Sequence, residues 1–204
     1  VYQLIEPHEA LTPAAGGIHR LIFRVQLPAL GYRTLRFARH APQAPPPVAV
    51  MRATPATLAN DRIEVHFDPA TGNILSCIDS ASGVEFVSAG GWNVGQVLED
   101  MSDTWSHDVQ GFDRVIGAFG AAQITVGDQG PLQASLLIER SYGANRWQQE
   151  VILRRSERTI TIRNWLLWQE PWRMVKLACD VNTPAPTALH DLPFGWLARP
   201  VDGH

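Results

Sequence analysis

Short segments in which apolar and polar residues alternate are the feature that most constrains the fold of this chain. A period of two places successive side chains on opposite faces of a strand, so each segment predicts a half-buried β-strand. Ile160 and Ile162 share one face of such a segment, and the polar residues around them share the other. Because β-branched residues suit a pleated surface better than a helix, the pattern favours strands throughout.

The predicted strands follow one another with short connections rich in Gly, Ser, Asp, Asn or Glu. They cover residues 18–27, 32–38, 62–67, 74–78, 84–87, 123–126, 132–140, 147–154, 159–168 and 174–181. Residues 68–73 predict a turn in which Gly72 takes a positive φ. No convincing capped helix appears, and many short strands with turn signals predict an all-β, antiparallel β-sandwich.

A proline-rich stretch divides the chain. Residues 40–55 contain five prolines, and proline lacks the amide donor that the interior of a sheet requires. We therefore predict a terminal β segment over residues 1–40 that joins a preceding domain, a linker over 41–56 and a sandwich domain over 57–204.

The composition excludes several classes of function. The 17 basic and 20 acidic residues are mixed along the chain, with a net charge of −3, so neither nucleic acid nor a membrane surface is an expected partner. No run of about 18 apolar residues predicts a transmembrane helix. Cys77 and Cys179 lie far apart in apolar segments, which predicts two small buried side chains, with a disulfide as the alternative.

The polar segment 103–108 is the most suggestive candidate site. The indole of Trp105 can stack on a sugar ring while Asp103 and His107 hydrogen-bond its hydroxyls. The structural alternative is that Trp105 packs beneath the loop while Asp103 and His107 fix its backbone. Asp108 beside His107 adds a third metal-type ligand, but without a second histidine at a matching spacing we predict no metal here.

Tryptophans and charged residues near the C-terminus form a second group of candidates. Trp165 and Trp168 are an odd number of residues apart and therefore face opposite sides of a regular strand. For Trp168 and Trp172 we expect packing, with sugar stacking as the alternative. Glu170 and Arg199 either reach a neighbouring catalytic cleft or take part in a surface ion pair. The candidate carbohydrate contacts are thus Asp103, Trp105, His107, Trp168, Glu170 and Arg199.

Five stretches, taken in order, resemble family 38 glycoside hydrolases, the retaining α-mannosidases. The first, Leu-Pro-Ala-Leu-Gly-Tyr-Arg-Thr at 27–34, is similar to the family's approach to its C-terminal β region. The others are 60–67 with Thr71-Gly72, 103–107, the pair 130–132 and 147–151, and finally Trp168, Glu170, Lys176, 193–195 and 199–200.

The resemblance implies a large antiparallel sandwich like that of the galactose mutarotase superfamily, incomplete here at its C-terminus. It also implies that the nucleophile, the acid and a zinc ion belong to an N-terminal catalytic domain outside this chain. We therefore assign no catalytic residue, no metal ligand and no cofactor to this chain. Its expected partners are that catalytic domain, on the same polypeptide, and mannose-containing carbohydrate. The family commonly has Glu before Pro-Phe-Gly, where this chain has His190-Asp191.

Three functions are consistent with these observations. The first is a non-catalytic C-terminal β-sandwich domain of an α-mannosidase, which braces the catalytic domain and contacts carbohydrate. The second is an aldose epimerase-like enzyme with His107 and Glu170 as its acid–base pair. The third is a stand-alone carbohydrate-binding module that uses exposed tryptophans.

Overall fold

The computed structural model describes residues 2–5, 20–36, 51–103, 105, 107, 109, 111–184 and 187–201. Over these residues the chain is all-β, and every strand pair is antiparallel. Within the same ranges, no helix of a length and hydropathy that would span a membrane is present. The predicted fold class, an antiparallel β-sandwich, is confirmed.

The strands are β1 Tyr2–Ile5, β2 Arg20–Phe23, β3 Arg52–Thr54, β4 Thr57–Ala59, β5 Ile63–Phe67, β6 Ile74–Asp79, β7 Val94–Glu99, β8 Val115–Ala118, β9 Gly120–Gln129, β10 Gln133–Tyr142, β11 Asn145–Arg154, β12 Ile160–Leu167, β13 Arg173–Ala178, β14 Thr187–Leu192 and β15 Gly195–Pro200. One layer of the sandwich is a four-stranded sheet in the order β12-β11-β10-β9. The other layer consists of the sheet β3-β4-β5-β6 and the sheet β13-β7-β8.

Two apolar clusters hold the layers together. The larger one packs inward-facing residues of β9 to β12 against the β3–β6 sheet. Its buried members are Met51, Ala53, Leu58, Ile63, Val65, Phe67, Ile74, Cys77, Val87, Ala134, Leu136, Ile138, Val151 and Leu153. Since the apolar residues of each strand fall on one face, their burial supplies the main stabilisation of the sandwich.

The smaller cluster joins β7 and β13 to the other end of the four-stranded sheet. Val97, Phe119 and Trp147 are buried there. The approach of the two layers is so close at this point that a Cβ on Gly95 would lie 2.2 Å from Cζ3 of Trp147. Only glycine can therefore occupy position 95 in this packing.

A buried polar network runs between the two clusters. Asn93 and Gln149 exchange side-chain hydrogen bonds of 3.0 and 2.9 Å. The Gln149 amide also donates to Asn164 Oδ1 at 2.7 Å, and the same oxygen accepts from Trp147 Nε1 at 3.1 Å. These bonds offset the cost of burying polar groups between the sheets.

Two hairpins lie outside the layers. The β1–β2 hairpin docks on the sandwich through Gln3, whose Oε1 accepts from the backbone N–H groups of Leu132 and Gln133 at 2.9 and 2.8 Å. The β14–β15 ribbon exposes large apolar side chains at Leu189, Phe194 and Trp196.

The structure also departs from the sequence predictions. Residues 32–36 form no strand, and 84–87 contributes only isolated bridges at Glu85 and Val87. Strand β3 lies within the range predicted as linker, because Met51 and Ala53 are buried in the core. Residues 41–50 of that linker fall outside the described residues.

The two cysteines also differ from expectation. Cys77 is buried as predicted, whereas Cys179 is exposed, and both are free thiols. The backbone N–H of Phe86 donates to Cys77 O, and that of Asn182 donates to Phe86 O. The bridged segment around Phe86 therefore lies between Cys77 and the segment that follows Cys179, since neighbouring extended segments lie about 4.8 Å apart.

Gly72 and Gly83 both have a positive φ, but only Gly72 is also tightly packed. Their φ angles are 70° and 71°, but a Cβ on Gly72 would lie 2.7 Å from Ile138 Cγ2, whereas a Cβ on Gly83 would meet nothing within 4 Å. We expect Gly83→Ala to lower the free energy of unfolding by about 1 kcal/mol through backbone strain alone. Gly72→Ala should cost about 3 kcal/mol, because it adds a clash in the core. Urea unfolding of both variants measures the difference, and equal losses would contradict the packing described here.

Candidate functional site

Two groups of candidate residues meet at one end of the β13-β7-β8 sheet. Glu99, the last residue of β7, is paired with Arg173, the first residue of β13. The loop that follows β7 and the turn that precedes β13 therefore leave the sheet at the same end. The backbone N–H of Asp100 also donates to Trp172 O at 2.9 Å. This pairing brings the segment containing Asp103 close to the turn that contains Trp172.

The loop after β7 is organised by one carboxylate. Asp103 Oδ1 accepts hydrogen bonds from the backbone N–H groups of Trp105 and His107 at 2.9 and 3.2 Å. Its Oδ2 lies 2.7 Å from His107 Nδ1. Asp103 and His107 thus fix the loop backbone, as the structural alternative proposed. The neighbouring positions 104, 106 and 108, including the candidate ligand Asp108, lie outside the described residues.

Trp105 does not pack beneath the loop. Its side chain is 80% exposed, so the structural alternative, in which Trp105 packs beneath the loop, is wrong. The indole is held at the surface by a loop that the Asp103 carboxylate orders. An ordered, exposed aromatic ring is a feature of surfaces that bind ligands by stacking.

The Asp103–His107 pair is itself well exposed, with side-chain exposures of 53% and 72%. A contact this exposed contributes little to stability, because water competes for both groups. Its structural effect is to orient the imidazole, and the second ring nitrogen is then available in a defined direction for a hydroxyl group.

Trp168 belongs to the smaller core cluster, which confirms the packing interpretation. Its ring lies 6.1 Å from that of Phe119 and is stacked at 6.4 Å on that of Tyr142. Trp165 points away from this cluster, as the odd spacing predicted. Trp172, in contrast, is exposed, so the packing predicted for it is wrong, and it takes a φ of 57° in the turn before β13.

Glu170 ties the turn before β13 to the β10–β11 hairpin. Its Oε1 accepts from Asn145 Nδ2 at 3.1 Å, and its Oε2 accepts from Arg173 Nη1 at 2.9 Å. The surface ion pair foreseen as the alternative role of Glu170 is therefore present, with Arg173 as its partner. Arg173 was not among the residues that the sequence analysis singled out.

Arg199 lies elsewhere, on the exposed β14–β15 ribbon, where it is paired in register with Ala188. The structure therefore brings the Asp103 loop and the Glu170 turn to one end of the sheet, whereas Arg199 belongs to a separate hairpin. His107 and Glu170, the proposed acid–base pair, each hydrogen-bond other residues. His107 bonds Asp103, whereas Glu170 accepts from Asn145 and Arg173.

Across the described ranges, no cluster of three or more His, Cys, Asp or Glu side chains is arranged to hold a metal ion. A largely apolar groove with a volume of about 490 Å³ lies between the layers. Cys77 and Cys179 both line it, beside Phe86, Trp92 and Ile160. Burial and the nearby Glu85 carboxylate raise the pKa of Cys77 to about 11.

Comparison with known proteins identifies a family and a similar solved structure. The family described as glycosyl hydrolases family 38 C-terminal domain matches residues 58–204. A solved protein of glycosyl hydrolase family 38 from Enterococcus faecalis is similar, with a TM-score of 0.60 and 12% identity. That match covers 74% of this chain and 22% of the Enterococcus chain, so this chain spans about a fifth of the length of that protein. No curated protein matches significantly.

Trp105 and Trp168 provide a matched test of the surface and core roles. We expect Trp168→Ala to lower the free energy of unfolding by about 2 to 4 kcal/mol, because it opens a space in the aromatic cluster. Trp105→Ala should change it by less than about 0.5 kcal/mol, since an exposed ring is lost. Chemical denaturation followed by circular dichroism measures both values. A large loss in Trp105→Ala would show that this indole is packed.

The two cysteines should differ sharply in reactivity. The thiolate is the reactive form, and Cys77 has both a raised pKa and a buried sulfur, whereas Cys179 is exposed. At pH 8 we expect iodoacetamide to label one thiol in the native chain and two in urea. Cys179→Ser should abolish the labelling of the native chain, and Cys77→Ser should leave it unchanged. Mass spectrometry reads the sites, and rapid native labelling at Cys77 would contradict this assignment.

Proposed function

The chain belongs to glycosyl hydrolase family 38, as a C-terminal domain of that family, and from this premise we propose that it serves an α-mannosidase as a non-catalytic β-sandwich. In this role it braces the catalytic domain of the same polypeptide and contributes contacts to mannose-containing substrate. The family match over residues 58–204 is the observation that carries the proposal.

The carboxylates at the candidate site favour a supporting role. A retaining glycosidase needs two carboxyl groups about 5 to 5.5 Å apart, one to attack and one to protonate. Here Asp103 is engaged by His107 and by two backbone N–H groups of its own loop. Glu170 is engaged by Asn145 and Arg173. We therefore assign the nucleophile, the acid and the zinc of the whole protein to its catalytic domain.

The sugar contact is proposed for Trp105 and His107. The Trp105 ring is 80% exposed, and a sugar ring stacked on it would remove apolar surface from water. Because Asp103 already orders the loop and the imidazole, binding would cost little additional conformational entropy. The exposed Trp172 belongs to the adjoining turn and extends the aromatic surface at this end of the domain.

The bracing role is proposed for the β14–β15 ribbon. It presents Leu189, Phe194 and Trp196 to solvent, with exposures of 70%, 109% and 70%. Contiguous exposed apolar side chains of this size mark interaction surfaces. Burial against the catalytic domain of the same polypeptide would cover them.

Hydrolysis of an aryl α-mannoside in the presence of zinc tests the proposed function. The purified chain alone should show no turnover, and the natural longer polypeptide should be active. In the longer polypeptide, Trp105→Ala should raise KM about tenfold with little change in kcat, because the ring contributes binding in the ground state and the transition state alike.

Trp196→Ala is the matched control, because it also removes an exposed indole but lies on the separate ribbon. It should leave KM unchanged and lower the melting temperature of the longer polypeptide. Turnover by the isolated chain that His107→Ala abolishes would refute the non-catalytic role and identify the sandwich as an enzyme in its own right.

A further inference from the structure

The outer face of the β9–β12 sheet carries a row of side chains that crosses all four strands. In register, Gln123 faces Glu139, Glu139 faces Gln148, and Gln148 faces Trp165. Residues paired in this way project from the same face of a sheet. The core-forming Ile124, Ile138 and Ile162 have the opposite parity, so these four side chains point away from the core. We call Gln123, Glu139, Gln148 and Trp165 the outer row.

A second row beside it forms a partly apolar floor. Leu137 faces Thr125 on one side and Glu150 on the other. Glu150 is only 5% exposed and accepts from Arg163 Nη1 at 3.0 Å. The charge of this carboxylate is thus neutralised within the row, and Leu137 provides apolar surface between polar neighbours.

A shallow groove of about 220 Å³ opens over these two rows. Its lining includes Gln123, Thr125, Leu137, Glu139 and Gln148. Pockets for drug-sized ligands measure about 300 to 1,000 Å³, so this one suits a smaller group such as a single sugar ring.

The β1–β2 hairpin defines one limit of the groove. Gln3 is docked on Gln133, which lies on the same outer face four residues before Leu137. Ile152, also on this face, is 1% exposed. The end of the face near β1 is therefore covered, and the outer row is the part that remains open.

The chemistry of the outer row matches a polyhydroxylated ring. Gln148 Nε2 donates to Glu139 Oε1 at 2.6 Å, which fixes both side chains across the strands. An amide has two N–H donors and an acceptor oxygen, and a carboxylate has two acceptor oxygens, so both retain further hydrogen-bonding capacity for hydroxyl groups. Trp165, 38% exposed at the edge of the row, offers an indole face for stacking.

The charge at the outer row determines which polar ligands it favours. The outer row contains one carboxylate, that of Glu139, and the Glu150 carboxylate beside it is matched by Arg163. Arg146, in the adjoining row, donates to the backbone O atoms of Gly143 and Asn145. A phosphate or a carboxylated ligand at the outer row would therefore meet the Glu139 carboxylate first, and like charges in proximity are unfavourable. A neutral ligand with many hydroxyl groups avoids this cost.

We infer that this groove is a binding site for a neutral saccharide, which the amide and carboxylate groups of the outer row hydrogen-bond. Trp165 does not line the groove but is paired with Gln148 at its edge, where its indole would stack on the sugar ring. The site shares no residue with the Trp105 loop. It therefore goes beyond the proposed function and does not depend on it.

Titration of the purified chain by nuclear magnetic resonance tests the site. The probes are methyl α-mannoside, mannobiose, methyl α-glucoside and methyl β-galactoside, and the readout is the indole N–H signals of the seven tryptophans. The loss of one signal in Trp165→Phe identifies Trp165. We expect at least one probe to shift that signal with a millimolar dissociation constant.

The variants decide where the saccharide binds. Trp165→Ala and Glu139→Gln should each weaken binding about tenfold, and Trp165→Phe should retain most of the affinity. Trp196→Ala, which removes an exposed indole of the separate β14–β15 ribbon, should leave it unchanged. Circular dichroism checks that each variant is folded. The inference is overturned if no probe at tens of millimolar shifts the Trp165 signal. It is overturned equally if Trp105→Ala, rather than Trp165→Ala, removes the binding.

These outcomes are independent of mannoside hydrolysis by the longer polypeptide. Saccharide binding at the outer row without any effect of Trp105→Ala on KM would uphold this inference and refute the sugar contact proposed for the loop. The reverse pattern would refute the outer-row site alone.

Discussion

The rest of the structure depends on a positive charge that the sandwich encloses at Arg140. This side chain is 1% exposed, and burial lowers its pKa to about 10. Its guanidinium donates to Gly72 O at 2.7 Å, to Asn93 O at 2.8 Å and to Asn73 Oδ1 at 3.1 Å. It also lies 4.9 Å from the ring centroid of Trp147. A buried charge costs several kcal/mol unless the protein solvates it well. The turn at Gly72 and Asn73, the backbone at Asn93 and the indole of Trp147 must therefore all keep their positions around the guanidinium.

This arrangement explains how the end of the domain that carries the candidate loops is built. Trp147 is both the ring beneath Arg140 and the centre of the smaller core cluster. Its contact with Gly95 brings β7 against β11. Strand β7 in turn sets the register of β13, and this pairing places the Asp103 loop beside the turn that contains Glu170. The geometry of the candidate site is thus a consequence of packing several residues away from it.

The two surfaces proposed to bind sugar present their exposed indoles in different ways. Trp105 is presented by a loop, and a single carboxylate orders that loop. Trp165 is presented by an edge strand, and a continuous ladder of strand pairs fixes its neighbours. A site on a sheet is held more rigidly than a site on a loop. The outer row is therefore suited to holding a saccharide, whereas the loop is suited to completing a site on a neighbouring domain.

Local patterns in the sequence determined the fold class, the turn at Gly72 and the opposite orientations of Trp165 and Trp168. The period of two depends only on neighbouring residues, so it can be read without the fold. Strand β7 was not predicted, because Gly95 and Gln96 interrupt its alternation of apolar and polar residues. The apolar ribbon β14–β15 was not predicted either. Only the tertiary structure decided that Trp105 is exposed, that the two candidate loops converge and that Gln123, Glu139 and Gln148 form one row. These features depend on register and on contacts between residues far apart in the chain, and a shift of register by one residue would turn every side chain of a strand to the other face.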